Sequence, residues 1–268
     1  MTRNEIINCA VAFTEESSGN YISPEAAISH EYTGMKIYDS PIFAFGAPDD
    51  ELYIQYKSPE IIGSHFIAPC EWLPAARTVI SFFLPYTERI RMANARDYDW
   101  PSDEWLHGRY EGHMFLKNLA TYVNSLLLEA GYESLIPADD PRYSLSGTDT
   151  MYTSRWSERH VAYACGLGTF GLSGGIITVK GMGGRLGSIL TNLDLPKDSR
   201  PYVGVYDHCT MCGVCISNCP AGAISHEGGK VHSACSGFLD KVREKHHPRY
   251  GCGKCQVGVP CESGKPVK

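Results

Sequence analysis

The feature that most restricts this chain is the run CTMCGVCISNCP at residues 209–220. Cys209, Cys212 and Cys215 are separated by two residues each, Cys219 follows after three more, and Pro220 comes next. The resulting spacing, C-x2-C-x2-C-x3-C-P, lets a tight loop turn three thiolates toward one four-iron cubane and send the fourth toward a second cluster. A zinc knuckle is the competing reading. It uses two C-x2-C pairs across a longer gap and has no fourth cysteine ahead of a proline.

Two clusters need eight ligands, and four more cysteines lie downstream at Cys235, Cys252, Cys255 and Cys261. The crossover logic of two-cluster ferredoxins assigns Cys209, Cys212, Cys215 and Cys261 to one cluster. It assigns Cys219, Cys235, Cys252 and Cys255 to the other. In CGKCQVGVPC the last gap is five residues long, so Cys261 is the position least fixed by spacing.

Of the eleven cysteines, these eight leave Cys9, Cys70 and Cys165, which make no disulfide framework and suit a reducing compartment. The start MTRNEIINCAVAF has no continuous apolar segment and no twin arginine, and no run of 18 apolar residues follows, so a soluble cytoplasmic protein is expected. The net charge of −6 and the lack of any basic cluster give no footprint for nucleic acid, and no membrane partner is expected.

Two prolines and mixed charges in LPKDSRPYVGVYDHC (195–209) place a linker near 196–204, dividing the chain into residues 1–200 and 201–268. Ahead of it, ARTVISFFLPY (76–86) reads as a buried strand ended by Pro85. HMFLKNLATYVNSLLLEAGY (113–132) places Phe115, Leu116, Leu119, Val123, Leu126 and Leu127 at helical spacing, with Gly131 as the stop.

Residues 157–196 contain Gly166, Gly168 and Gly171 in the pattern G-x-G-x-x-G. As a dinucleotide fingerprint the pattern has meaning only after a strand and before a helix, and here the order is reversed. Ser157 can cap a short helix burying Val161, Ala164 and Cys165, Gly166 can end it, and GGIITV and LGSILTNL read as strands. The glycines between 166 and 184 admit two explanations: tight turns at a sheet edge, or backbone held close to a flat, bulky cofactor. In the second case Gly166, Leu167, Gly168, Thr169, Gly171 and Ser173 face that cofactor.

Histidines 107, 113, 160, 246 and 247 show no H-x-x-x-H or H-E-x-x-H spacing, and neither a G-x-S-x-G nor a Walker loop occurs. Zinc hydrolase, serine hydrolase and ATPase readings are thereby set aside. His208, next to the first cysteine, either hydrogen-bonds a cluster sulfur or faces water.

Taken together, ERHVAYACGLGTFG, ILTNLDLP, CTMCGVCISNCPAGAI, Cys235 and YGCGKCQ resemble the family of epoxyqueuosine reductases and reductive dehalogenases. LPAARTVISFFLPY and GRYEGHMFLKNLATYVNSLLLEAG are similar to the N-terminal domain of the same family, so the resemblance spans about residues 70–261. It implies an α+β fold: a nitroreductase-like, cobalamin-binding domain followed by a small ferredoxin-like domain with two [4Fe-4S] clusters. It also implies an electron donor such as ferredoxin or flavodoxin, feeding an outer cluster, an inner cluster and then cobalt.

The family places an aspartate, its proton donor, six residues before the glutamate matching Glu158; this chain has Tyr152 there, with Asp149 three residues upstream. A phenol can also donate a proton, and the resemblance to the dehalogenases implies a tyrosine in this role, but with a pKa near ~10 it is a weaker acid than a carboxylic acid. The additional C-terminal region of many tRNA-acting members has no counterpart after Cys261, which with the acidic charge argues against a tRNA substrate. Two function classes follow. One is a cobalamin-dependent reductase of a small molecule, with Tyr152 or Asp149 as the acid. The other is an electron-transfer protein serving a partner's cofactor, such as that of a corrinoid protein.

Overall fold

The computed structural model describes residues 1–143, 145–148 and 151–267; of residues 145–148, 151 and 152 only the backbone is described. At its centre lies a four-stranded antiparallel sheet in the order Ile42–Gly46, Thr78–Pro85, Gly184–Thr191, Ser134–Leu135. The strand Thr78–Pro85 is buried along its whole length because both faces of the sheet are covered. Successive side chains alternate between the faces. Ile80, Phe82 and Leu84 join Phe115, Leu119 and Val123 of the helix Asp103–Glu129 and Ile6 and Ala10 of the helix Arg3–Glu16. Val79 and Phe83 join Val161 and Ala162 of the helix Glu158–Ala164, together with Phe66, Trp72 and Trp156. This is the mixed helix-and-strand architecture that the sequence indicated, and the 78–85 strand falls where the hydrophobic run placed it.

The long helix begins at Asp103, well before the 113 expected from periodicity, with the Ser102 hydroxyl accepting from the Trp105 amide at 3.2 Å. Two glycines, which ordinarily weaken a helix, obscured this first half. Both are required by close approach: an added Cβ would sit 2.9 Å from the Tyr86 ring at Gly108 and 2.7 Å from the Tyr38 hydroxyl at Gly112. The two tyrosines stack with centroids 5.1 Å apart. The helix stops at Gly131, whose φ of 85° allows the left-handed turn.

The helix Glu158–Ala164 also closes on a left-handed glycine, Gly166, with the Leu167 amide bonding the Ala162 carbonyl at 2.9 Å. Ser157 occupies the cap position, but its hydroxyl lies 2.8 Å from His160 Nδ1 and does not cap the backbone. A hairpin, Gly168–Phe170 with Ile176–Thr178, precedes the central strand Gly184–Thr191, so the glycine-rich segment follows a helix and leads into strands.

Residues 192–200 carry no regular structure, and the cysteine-bearing segment then folds back on the sheet-and-helix body. Met182 N–H bonds the Cys261 carbonyl, and Gly183 N–H bonds the Glu262 carbonyl, each at 3.0 Å. Asn94 Nδ2 donates to the Cys252 carbonyl at 2.9 Å, and Arg249 pairs with Glu111 of the long helix. The cysteine loops are therefore positioned by the larger body, main chain to main chain.

Candidate functional site

The eight C-terminal cysteines gather around two cavities. Cys209, Cys212, Cys215 and Cys261 ring the first, with Met182, Leu172, Val259 and Pro260 completing its wall. Cys219, Cys235, Cys252 and Cys255 ring the second, a space of ≈ 190 Å³. Two left-handed glycines turn the loops: Gly213 at φ 77° between Cys212 and Cys215, and Gly253 at φ 65° between Cys252 and Cys255. Side chains on Gly253 are excluded outright, since a Cβ would lie 1.8 Å from the Trp105 ring. The Ala223 amide donates to Cys219 Sγ at 3.3 Å, a contact that stabilises negative charge on sulfur.

Burial pushes the Cys252 and Cys261 thiols up to about 12 and Cys215 to about 11, and neighbouring thiols push in the same direction. For Cys215 the leading neighbour is Cys255 of the other set, so the two cavities adjoin. Metal binding to such thiols must release protons. Among the described residues no three His, Cys, Asp or Glu side chains converge on a point suited to one metal ion. Thiols spread round a cavity suit a larger body, with each sulfur on its own iron.

Beyond the second cavity opens a cleft of ≈ 360 Å³, and Arg109 and Arg185 line both spaces. Its walls come from the long helix (His113, Leu116, Lys117), from the central strand (Leu186, Gly187, Ser188), and from Tyr143, Glu158 and Tyr250. Arg109 lies 4.3 Å from the Tyr250 ring centroid and donates to its hydroxyl at 2.7 Å. Burial and then Arg185 draw the Arg109 guanidinium down to about 10, still cationic at neutral pH. Burial, with Arg185 and Arg109 adding to it, lowers His113 to about 4, leaving a neutral ring.

Residues 202–225 match the family model for a 4Fe-4S binding domain. The epoxyqueuosine reductase of Staphylococcus aureus is 32% identical over 204 residues, covering 72% of this chain and 50% of that protein. A tetrachloroethene reductive dehalogenase of Desulfitobacterium hafniense is 41% identical over 110 residues, 38% of this chain and 20% of that protein. The chain is thus similar in sequence to epoxyqueuosine reductases and reductive dehalogenases. Its fold agrees: the structure of epoxyqueuosine reductase from Bacillus subtilis superposes with a TM-score of 0.57 at 19% identity, over 99% of this chain and 66% of that one. A reductive dehalogenase whose dehalogenation is described as B12-dependent matches with a TM-score of 0.53 at 16% identity, over 84% and 30%. The chain spans at most half the length of these curated relatives.

Against this family pattern, the positions singled out in the sequence fall as follows. Tyr152, in place of the family aspartate, lies on the strand Met151–Ser154 with its backbone opposite Gly147; Asp149 lies outside the described residues. Gly166, Leu167, Gly168 and Thr169 do not line the cleft. A Cβ on Gly168 would sit 2.4 Å from the Ile177 carbonyl, and Thr169 is fully buried with its hydroxyl accepting from the His208 amide. Gly171 and Ser173 line the first thiol cavity. Packing within the hairpin and beneath the cysteine loop thus accounts for these small residues. His208 turns its Nδ1 to the Ile177 carbonyl at 2.8 Å.

Sequence reasoning gave no role to Arg109, Arg159, Arg185, Lys254 or the side chain of Glu158. Lys254 is fully buried, its ammonium bonded to the Asn94 carbonyl at 2.7 Å and to the Asp97 carbonyl. Glu158 stands in the first turn of its helix, where an acid reads simply as a helix-start signal.

Proposed function

We propose that the chain is an iron–sulfur reductase in which two [4Fe-4S] clusters carry electrons to a small molecule held in the cleft. The observation that carries this reading is the sorting of eight thiols into two adjoining rings, the second of which shares Arg109 and Arg185 with the cleft. Electrons enter at the first ring, where Cys212 is exposed to a donor such as ferredoxin or flavodoxin, and leave from the second. The sheet covered by helices on both faces supports a nitroreductase-like cofactor domain over about residues 1–200, with the clusters in residues 201–268.

The cofactor implied by the family is cobalamin, and the cleft fits it in chemistry and position. Arg109, Lys117 and Tyr143 offer hydrogen bonds to an amide-rimmed ring and its phosphate, Leu116 and Leu186 offer apolar surface, and Arg109 and Arg185 link the space to the second ring. When bound, cobalamin supplies a metal centre that accumulates electrons and delivers them to a carbon–heteroatom bond. This chain's own residues orient the ring, exclude water and hold a proton. The acidic net charge favours a small substrate over tRNA.

Among the described residues no helix is long and apolar enough to cross a membrane, and all eleven cysteines are free, which supports a reducing, cytoplasmic setting. The test is anaerobic purification followed by metal analysis and cobalamin titration. About eight irons with matching sulfide, and a shift of the added cobalamin to its base-off spectrum, are expected. Zinc without sulfide defeats the cluster reading. Full iron without a cobalamin shift leaves an electron-transfer protein that serves a partner's cofactor.

A further inference from the structure

We infer that Glu158 is the carboxylic acid that gives its proton to the molecule reduced in the cleft, in the role that the family gives to an aspartate at position 152. The inference rests on the proposed reductase reading and identifies the acid within it.

Glu158 lines the cleft, yet its Oε2 is sealed from water and has no hydrogen-bond partner. An ionised carboxylate with an oxygen buried and undonated is costly, so the geometry favours the neutral acid. The groups around it decide whether that proton is usable. From the central strand, Arg185 and the Ser188 hydroxyl favour the anion; Ser188 is itself anchored by the Trp156 indole at 2.9 Å. From the segment before the helix comes Tyr143, a phenol made a weaker acid by burial and by Glu158. From the long helix come Arg109, always cationic, His113, neutral near pH 7, and Lys117, paired with Asp139 at 2.8 Å. Burial outweighs Ser188, Trp156 and Arg185 and brings Glu158 to about 7, where an acid is both protonated and able to let go. Among the described groups lining the cleft, none of the others combines those two properties.

The step balances simply. Two electrons from a low-potential one-electron donor protein, delivered singly, supply the pair for the new bond to the substrate atom. The substrate's carbon–heteroatom bond breaks and the heteroatom leaves with that bond's electron pair; the carboxyl O–H of Glu158 breaks as the new C–H bond forms, and the carboxylate regains its proton from water.

Dicyclohexylcarbodiimide, an apolar reagent, reacts with protonated carboxyl groups in water-poor surroundings, and peptide mass spectrometry locates the adduct. Treating the iron-loaded protein should label Glu158 at pH 7 and roughly 50-fold more slowly at pH 9, as expected for an acid with pKa about 7. An infrared carboxylic C=O band should disappear over the same pH range and be absent from Glu158→Gln. Glu158→Asp, which keeps the acid, should retain a titrating band. For any substrate that the wild type reduces with dithionite, E158Q should be slower by roughly 10²- to 10⁴-fold at unchanged iron content. Failure of Glu158 to label at pH 6, a C=O band lost already below pH 5, or an unchanged rate in E158Q overturns the inference. Loss of iron from the wild type would overturn the cluster reading instead, and the two failures are distinguishable because labelling requires no iron.

Discussion

The two thiol rings are built from the same residue but set in opposite surroundings. Among the described residues, no charged side chain lines the first cavity, whose walls beside the thiols are methionine, leucine, valine, proline and glycine with Ser173 and Thr210. The second is lined by Arg109, Arg159, Arg185, Lys230 and Lys254, with no carboxylate among the described residues. A cluster becomes more negative when reduced, so nearby cations favour its reduced form and raise its potential. On the proposed reading, with a cluster in each ring, the second would be the electron sink, and it is the one that shares Arg109 and Arg185 with the cleft. Direction of flow then follows from where the arginines and lysines lie.

The largest effects should come from the thiols. Cys212→Ala is expected to remove the first cluster and keep the second, and Cys252→Ala the reverse, each leaving about four of about eight irons. The Cys252 loop is anchored to Asn94, through the Cys252 carbonyl and the Lys254 ammonium, whereas Cys212 is exposed, so the Cys252 variant should also lose more thermal stability. Equal loss of both clusters in both variants, measured by iron content and electron paramagnetic resonance, would show that the rings form only together.

Lys254 sharpens the contrast next. Its buried ammonium satisfies the carbonyls of Asn94 and Asp97 and the Asn94 side chain at 3.1 Å. Lys254→Met keeps much of the volume but leaves those oxygens without a donor, at a cost of about 2–4 kcal/mol. Chemical denaturation should show that loss, with the second cluster the first to be released. A variant as stable as wild type would mean that water replaces the ammonium.

How far this asymmetry could be read from the sequence differs between its parts. The two cysteine sets were assigned from the crossover pattern of two-cluster ferredoxins, with spacing fixing Cys261 least, and the members of each set line one cavity. The β-branched and aromatic run at 76–86, stopped by Pro85, located a strand whose faces both meet helices. Gly108 and Gly112 concealed the first half of the long helix because their small size answers to Tyr38 and Tyr86, residues far away in the chain. The cations at 109, 159, 185, 230 and 254 have no common spacing; they lie on two helices, two strands and a 3₁₀ turn that meet only in three dimensions. Glu158 was visible as a residue but not as an acid, because its proton affinity comes from burial and not from its neighbours in sequence. The glycines at 166–171 show the opposite hazard: their density suggested a flat ligand, while Gly168 is held by the carbonyl of its own hairpin.

Arg159 addresses the potential directly. It is solvent-exposed at the rim of the second cavity, close enough for Cys255 and Cys235 to act on its charge. Arg159→Gln removes one positive charge without deleting a fold contact. Coulomb's law at an effective dielectric of 20–80 and a separation of about 8 Å gives a fall in the second cluster's potential of roughly 20–100 mV. The first cluster should shift less. A redox titration followed by electron paramagnetic resonance separates the two, and an equal fall in both would remove the electrostatic distinction.

The smallest effect is expected in the first cavity, whose lining carries sulfur and the Ser173 and Thr210 hydroxyls but, among the described residues, no charged side chain. Met182 Sδ lies 3.5 Å from Cys261 Sγ, and the Met182 methyl group fills the space beside Gly171 and Gly175, where added Cβ atoms would lie 3.4 and 2.6 Å away. Met182→Leu is close to volume-conserving and should cost less than about 1.5 kcal/mol. A thioether carries no net charge, so the first cluster's potential should move by less than Arg159→Gln moves the second. The outcome is informative because the substitution touches a thiol neighbour directly, whereas Arg159 acts through space. If Met182→Leu shifts its cluster more than Arg159→Gln shifts the other, packing and sulfur contacts set the potentials, and the row of cations around the second ring serves the cleft's ligand instead of the electrons.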